Sequence, residues 1–555
     1  MRRRQFHPTG PRAGGAGRRP AGGGWKTEEL AMAAALAVLL ARRAGLAAHG
    51  WERTVTSLAE PRWPVLAPLL ALSAAAVVAA GRAIRRRRVA PPGARPAPTR
   101  RRPWRFVLAT GVGRAAEAAR WASRRDLAAL AVRRPGDGRL VLGRSGRRLL
   151  AAEPRQSVLV VGPTQTMKTT GFAVPAILEW DGPVLATSVK TDLVRDTIGW
   201  RRRCGEVWVY DPTCCTGLPS DSWSPLAASG TWAGARRTAA AMVGAARSST
   251  GGPSDAEFWY ATAAKLLAPL LFAAAVSGRD MSDVVRWVDS QDTNEPAAAL
   301  AMAGVEQAIL AAEASWRRED RQRSSVFTTA ETVLDPFADP AVAAAAGPGI
   351  DPAVLLDGGA HTLYLCAPSH EQRRLRPLFT SLVEQVVAAV YERHSAGRAL
   401  DPPLLMVLDE AASIAPLEDL DGLAATGAGQ GIQLVTVWQD LAQITARYGA
   451  RAASVVNNHR AKVLLSGVSD PVTLQQLSGL VGDGQEASSS VTKDSGGALS
   501  TTESLATRPL APADALRRIP PGHGLLLYGH LPPARLELRP WFEDRDLWSR
   551  RVDPG

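Results

Sequence analysis

Residues 157–171 read SVLVVGPTQTMKTTG, and this stretch decides the fold class. Ser157–Val161 is a short apolar run rich in valine, the pattern of a strand buried on both faces. It runs directly into Gly162-Pro163-Thr164-Gln165-Thr166-Met167-Lys168-Thr169-Thr170, which is followed by helix-compatible sequence. Strand, tight loop and helix in that order are the setting of a phosphate-binding loop. Backbone N–H groups and the helix N-terminus face the phosphates, a lysine reaches the β and γ phosphates, and a hydroxyl meets Mg²⁺. Residues Gly162 to Thr170 are therefore the candidate nucleotide contacts, with Lys168 as the catalytic cation and Thr169 as a metal ligand. One position departs from GxxxxGK[ST]: Met167 stands where the motif has glycine. Glycine there permits a positive φ or a close phosphate, and a long side chain makes either harder.

Two further strand ends extend the reading. Pro403–Leu408 (PLLMVL) is an apolar strand ending in Asp409-Glu410. An acidic pair at the carboxyl end of a buried strand is where a motor ATPase holds Mg²⁺ (Asp409) and polarises the attacking water (Glu410). The bland reading is a strand ending in solvated acids; the order of the two elements argues against it. Ile432–Val437 (IQLVTV) is a third strand, ending in Trp438-Gln439, and the Gln439 amide is placed to sense the γ-phosphate or the water. Beyond residue 150, short apolar runs alternate with helical patterns, which predicts an α/β fold with a largely parallel sheet.

At 555 residues the chain is too long for one core. Its net charge of +14 invites a nucleic-acid reading, but residues 1–106 alone carry 21 of the 66 basic residues and four of the 52 acids. The basic surplus is N-terminal, so it is no DNA footprint of the main domain. The four cysteines, Cys204, Cys214, Cys215 and Cys366, form no CxxC and lie at no zinc spacing from a histidine, which argues against a disulfide framework or a metal site.

The N-terminal region reads as a membrane anchor. Trp63–Gly81 is 19 residues without a charge, about one bilayer crossing, and Arg82 and Arg85–Arg88 follow it. Flanking arginines mark the cytoplasmic side. A buried globular helix is the competing reading of this run. Leu30–Ala41 is too short to span alone, yet the N-terminal arginines keep that end inside, so a helical hairpin with His49–Arg62 as its outside loop is expected. A signal peptide is disfavoured by the second apolar run and its basic stop.

These segments, in this order, resemble the TraG/VirD4 family of type IV coupling proteins. The likeness covers most of residues 125–545: SVLVVGPTQTMKTTG; EVWVYDP at 206–212 with SWSPL at 222–226; DAEFWYATAAKLL at 255–267; and SVFTTAETVLDPFADP at 325–340. It continues in LDEAASI and GQGIQLVTVWQDLAQITARYG within Val407–Gly449, in VNNHRAKVLLSG at 456–467 and in the closing stretch 508–541.

The resemblance implies a RecA/FtsK-like P-loop motor with an inserted all-α domain and a transmembrane helical anchor. With the N-terminal reading above, the expected boundaries are 1–27 disordered basic tail, 28–84 transmembrane hairpin, 85–124 basic Pro/Arg linker, 125–227 and 324–545 motor, 228–323 all-α domain and 546–555 tail. The resemblance also implies ATP and Mg²⁺ as cofactors, Gly162, Lys168 and Thr169 as nucleotide and Mg²⁺ contacts, Asp409 as metal-positioning, Glu410 as water-activating and Gln439 as the γ-phosphate sensor. The partners implied are DNA (single-stranded and relaxase-bound favoured), a relaxase, secretion-channel proteins, the bacterial cytoplasmic membrane and five further copies in a hexamer. Such a ring needs an arginine acting across the subunit boundary. Ala428 stands where some members carry one, leaving Arg323, Arg447 and Arg460 as candidates.

Two other readings stand beside this one. A receptor or scaffold with an impaired loop is motivated by Met167. A chromosome-segregation pump of the FtsK/SpoIIIE type is disfavoured by the small anchor. Gly482–Ser504, rich in Ser, Gly and Thr, is expected to be a mobile loop.

Overall fold

The computed structural model describes residues 118–247, 254–412, 416–493 and 499–552, with the side chains of 254–256 and 487–505 excepted. The expected membrane hairpin, basic tail and most of the expected linker lie outside these residues.

Among the described residues a 12-stranded sheet runs in the order β1-β3-β2-β14-β13-β10-β4-β9-β8-β5-β7-β6. The strands are β1 (Ala131–Val132), β2 (Val141–Ser145), β3 (Arg148–Ala151), β4 (Val158–Val161), β5 (Val184–Ser188), β6 (Val207–Tyr210), β7 (Thr362–Cys366), β8 (Leu404–Leu408), β9 (Ile432–Trp438), β10 (Ala461–Leu465), β13 (His523–Tyr528) and β14 (Ala534–Glu537). From β10 to β6 all pairings are parallel, and β13 and β14 continue the sheet antiparallel.

The parallel strands are apolar on both faces, as crossover layers require. Leu159 and Val161 of β4 enter the core beneath the helical layer, while Val158 and Val160 enter the opposite one. The three strands expected from sequence are thus β4, β8 and β9, with β9 seated between the other two.

Between β6 and β7 the chain builds a helical layer of Trp232–Ala246, Ser254–Val276, Met281–Asp289, Asn294–Ala303, Glu306–Trp316 and Asp320–Leu334. Asp280 opens the third of these with a reciprocal capping box to Asp283. Helix Asp320–Leu334 runs across the 323/324 boundary and packs on Ser254–Val276, so the helical layer continues to Leu334. Glu257–Val276 is the one helix among the described residues long and apolar enough to cross a membrane, and 61% of its apolar window is buried in the core.

Two sequence expectations fail here. The described residues of Gly482–Ser504 are not a loop: β11 (Asp483–Lys493) and β12 (Leu499–Pro509) pair antiparallel as a two-stranded sheet of their own. Its Ser and Gly suggested a loop, but Val491, Thr492, Thr501, Thr502 and Thr507 are β-branched and suit a pleated strand. Nor do residues 546–552 form a tail. Helix Arg545–Arg550 packs back on the body, the Trp548 ring stacks on Trp541, and Arg550 Nη1 donates to the Leu178 carbonyl at 2.6 Å. At the other end, the last residues of the expected linker are pinned: Ala119 N–H donates to Asp483 O, Ala122 N–H to Pro533 O, and Trp121 lies under Arg535.

Candidate nucleotide site

Because β4, β9, β8 and β5 are parallel, their carboxyl ends share one sheet edge, and the residues after them converge there. Gly162 follows β4, Gln439 follows β9, Asp409 and Glu410 follow β8, and Lys190 follows β5 by two residues. This is the edge at which open α/β sheets bind ligands.

The loop after β4 is closed on itself. Gly162 N–H donates to the Trp438 carbonyl at 3.0 Å, and a Cβ at this position would stand 2.7 Å from Thr166 Oγ1 and 2.9 Å from Leu465 Cβ, so only glycine fits. The Pro163 carbonyl accepts from Thr166 Oγ1 at 2.8 Å and from Lys168 Nζ at 3.0 Å. Lys168 Nζ also donates to Gly162 O at 2.5 Å. Lys168 is 8% exposed, and burial lowers its pKa, opposed by the charges of Asp409 and Glu410 and reinforced by Lys190. Thr164 and Gln165 are exposed at the tip.

Two loop residues adopt left-handed backbone: Gln165 at φ 64° and Met167 at φ 63°. A side chain in that region costs about 1–2 kcal/mol. The glycine of the motif is therefore replaced at a position where the backbone does require positive φ, and Met167 bears that strain.

Thr169 and Asp409, 240 residues apart in the chain, are joined by a hydrogen bond from Thr169 Oγ1 to Asp409 Oδ2 of 3.0 Å. The Asp409 backbone is held by Thr187 Oγ1 of β5, which donates to its carbonyl at 3.3 Å. Burial pushes the Asp409 carboxyl up to about 6; the Thr169 bond works against that, and the Glu410 charge adds to it. Glu410 is half-buried, with a left-handed φ of 57° that turns the chain away from β8. Gln439 anchors the other side: its N–H donates to Gln443 Oε1 at 3.0 Å, and Asp440 caps the helix Leu441–Tyr448 by accepting from Gln443 N–H at 2.8 Å.

A hydroxyl and a carboxylate at 3.0 Å, beside a buried ammonium at the start of a helix, are the hard-oxygen and cationic groups that Mg²⁺ and a polyphosphate require. The charged residues Lys190, Asp192 and Asp440 act on Lys168 or Asp409 and were not singled out in the sequence. The signal for the first two was available, since SVKTD closes another buried strand of the sheet. None of the three candidate arginines contacts the loop in this chain. Arg447 Nη2 donates to Pro416 O at 2.9 Å, Arg323 pairs with Asp320, and Arg460 pairs with Glu153 at the opposite end of β10.

A family model described as Type IV secretory system Conjugative DNA transfer matches residues 115–554. Two curated relatives, each a conjugal transfer protein TraG of Escherichia coli, are 26% identical over 334 and 335 residues, covering 55% of this chain. That alignment covers 52% of the relatives, so the chain spans about half their length. Among solved structures, the unbound bacterial conjugative coupling protein TrwBdeltaN70 superposes with a TM-score of 0.61 at 18% identity, covering 81% of this chain and 96% of that one. TrwB in complex with ADP and Mg²⁺ gives 0.58 at 19% identity, covering 78% and 96%. These structural likenesses establish a shared fold.

Proposed function

The chain belongs to the type IV secretory system conjugative DNA transfer family, and on that premise we propose that it is a membrane-anchored, ATP-hydrolysing DNA translocase. In this reading it is the coupling protein that delivers a relaxase–DNA complex, with single-stranded DNA favoured, to a conjugative secretion channel. It sits in the bacterial cytoplasmic membrane through the apolar run Trp63–Gly81 and works as a homo-hexamer. The observation that carries the reading is the 3.0 Å bond between Thr169 and Asp409, which brings the lysine loop and the acidic strand end into one site.

Bound Mg²⁺–ATP supplies a γ-phosphoryl group polarised for in-line attack by water. The residues of this chain do the rest. Thr169 Oγ1 would supply an oxygen ligand for the metal while its hydroxyl donates to Asp409, which would hold the metal through water. Lys168, which donates to the Gly162 and Pro163 carbonyls, would turn to the phosphate oxygens. Backbone N–H groups of Pro163-flanking residues Thr164 to Lys168 line the phosphates, and Thr170 continues the helix whose N-terminus favours negative charge. Glu410, next to Asp409, orients the attacking water and takes up its proton. Gln439, just after the strand between the other two, reads the γ-phosphate. TrwB, in complexes with ADP and Mg²⁺ and with a non-hydrolysable ATP analogue, supports the same cofactors here.

The test is ATP turnover by the full chain in lipid nanodiscs, with and without single-stranded or duplex DNA, beside Lys168→Ala and Glu410→Gln. DNA-stimulated turnover that is lost in both variants, with nucleotide binding retained by Glu410→Gln, is the expected outcome. Nucleotide or partner binding without any turnover would replace the motor with the receptor reading, for which the strained Met167 is the observation.

A further inference from the structure

We propose that Leu538–Trp541, far from the loop in sequence, is a working part of the phosphate loop, with Leu538 and Gly171 as the positioning residues that let Met167 stand in for glycine. The proposal rests on the nucleotide-binding reading above and adds new residues to that site.

A methionine held at φ 63° needs a partner that favours this backbone over the relaxed one. Met167 has one: its side chain is half-buried against the core cluster on the face opposite the helical layer, a cluster that contains Leu538 and Phe172. Space for it comes from Gly171, one turn further on, whose N–H donates to the Met167 carbonyl at 2.8 Å. A Cβ on Gly171 would lie 3.3 Å from Met167 Cβ, Leu538 Cβ and Leu538 Cδ1 alike. A side chain at 171 would therefore crowd both Met167 and Leu538, and one of them would have to give by a few tenths of an ångström.

The backbone supplies a second, independent link. The helix after the loop opens with a π-helical turn, Thr169–Ala173, in which Val174 N–H donates to Thr169 O. The next carbonyl, Thr170 O, would take its bond from residue 175, but Pro175 has no N–H. Trp541 N–H fills that place at 3.1 Å. Between these two contacts, Arg539 reaches the far end of the same helix and binds Glu179 at 2.8 Å and Asp544 at 2.9 Å, all three side chains buried. The segment thus holds the helix at Thr170 and Glu179 and sets Leu538 beside Gly171, in the cluster against which Met167 packs.

The test is a double-mutant cycle on the full chain, reading the Kd of a fluorescent ATP analogue for Leu538→Ala, Met167→Gly and the pair. Leu538→Ala is expected to weaken binding about tenfold when Met167 is present and by less than about twofold when residue 167 is glycine, because glycine needs no partner to hold positive φ. Equal losses in both backgrounds would overturn the proposal and make Leu538 an ordinary core residue. Leu538→Met, which keeps the apolar volume, is expected to bind as the unsubstituted chain does; should Leu538→Ala fold poorly, Leu538→Val serves in the same cycle. Failure of the unsubstituted chain to bind nucleotide would instead strike the underlying reading, and this proposal would fall with it.

Discussion

Replacing Arg539 with methionine isolates what the buried clamp on the loop helix contributes to stability. Arg539 is 3% exposed at its side chain and bonds both Glu179 (6%) and Asp544 (7%). Asp544 keeps Arg144 at 2.9 Å, so the substitution strands mainly Glu179. Removing one partner of a buried ion pair costs about 3–5 kcal/mol. Unfolding entropy is near 2.1 cal/mol/K per residue, so the matched region 115–554 gains roughly 0.9 kcal/mol/K on melting, and the loss corresponds to about 3–5 °C in Tm.

The pH dependence gives the prediction its sign. Burial pushes the Glu179 carboxyl up and Arg539 pulls it down, so without Arg539 it rises further. A carboxyl whose folded pKa lies above its unfolded value of about 4.3 costs stability above that pH, and the cost fades as the pH falls toward it. The deficit of Arg539→Met, followed by tryptophan fluorescence on heating, should therefore be full at pH 8 and clearly smaller at pH 5. Adding Glu179→Met should recover most of the loss. A deficit below about 1 °C at pH 8, or one of equal size at both pH values, would refute the reasoning.

Three other outcomes are expected. Gln439→Ala should lower ATP turnover about 10- to 100-fold while nucleotide Kd stays within about twofold, as befits a group that acts on the γ-phosphate during the reaction; a parallel loss of affinity would assign it to binding. His459, fully buried between Thr436 and the Val455 carbonyl, has its pKa pushed down to about 4 by burial. Neutral histidine is favoured in the folded state, so stability drains as the pH falls from about 6.5 toward 4. His459→Asn should remove about 3 kcal/mol of that acid sensitivity in denaturant titrations. Glu384 is pushed up to about 7 by burial and by the charges of Glu418 and Asp419. Its cost is present above the unfolded value and fades as the pH falls, so Glu384→Gln should raise Tm at pH 8 and change it little at pH 5; an equal gain at both would contradict this.

Much of the architecture was legible in the sequence because parallel strands buried on both faces leave continuous apolar runs with chemistry at their ends. SVLVV, PLLMVL and IQLVTV became β4, β8 and β9, and Gly162, Asp409 and Gln439 follow them. The order of such segments also carried the family resemblance, which the match over 115–554 bears out. The strand pair Asp483–Lys493 and Leu499–Pro509 was misread because serine and glycine counts mask the β-branched residues among them. Residues 546–552 were misread because a charged C-terminal stretch shows nothing of its partners: Arg550 reaches Leu178 O only after the helix has docked.

The sequence by itself determined the strands, their chemistry and the one irregular position, Met167, because each of these is written in local residue type and spacing. Only the tertiary structure decided how that irregularity is borne. Left-handed backbone at 167, the missing N–H of Pro175 and the gap at Gly171 are all met by Leu538–Trp541. Contacts between residues some 370 positions apart follow from where β14 and its exit segment lie in the sheet, which no local pattern specifies.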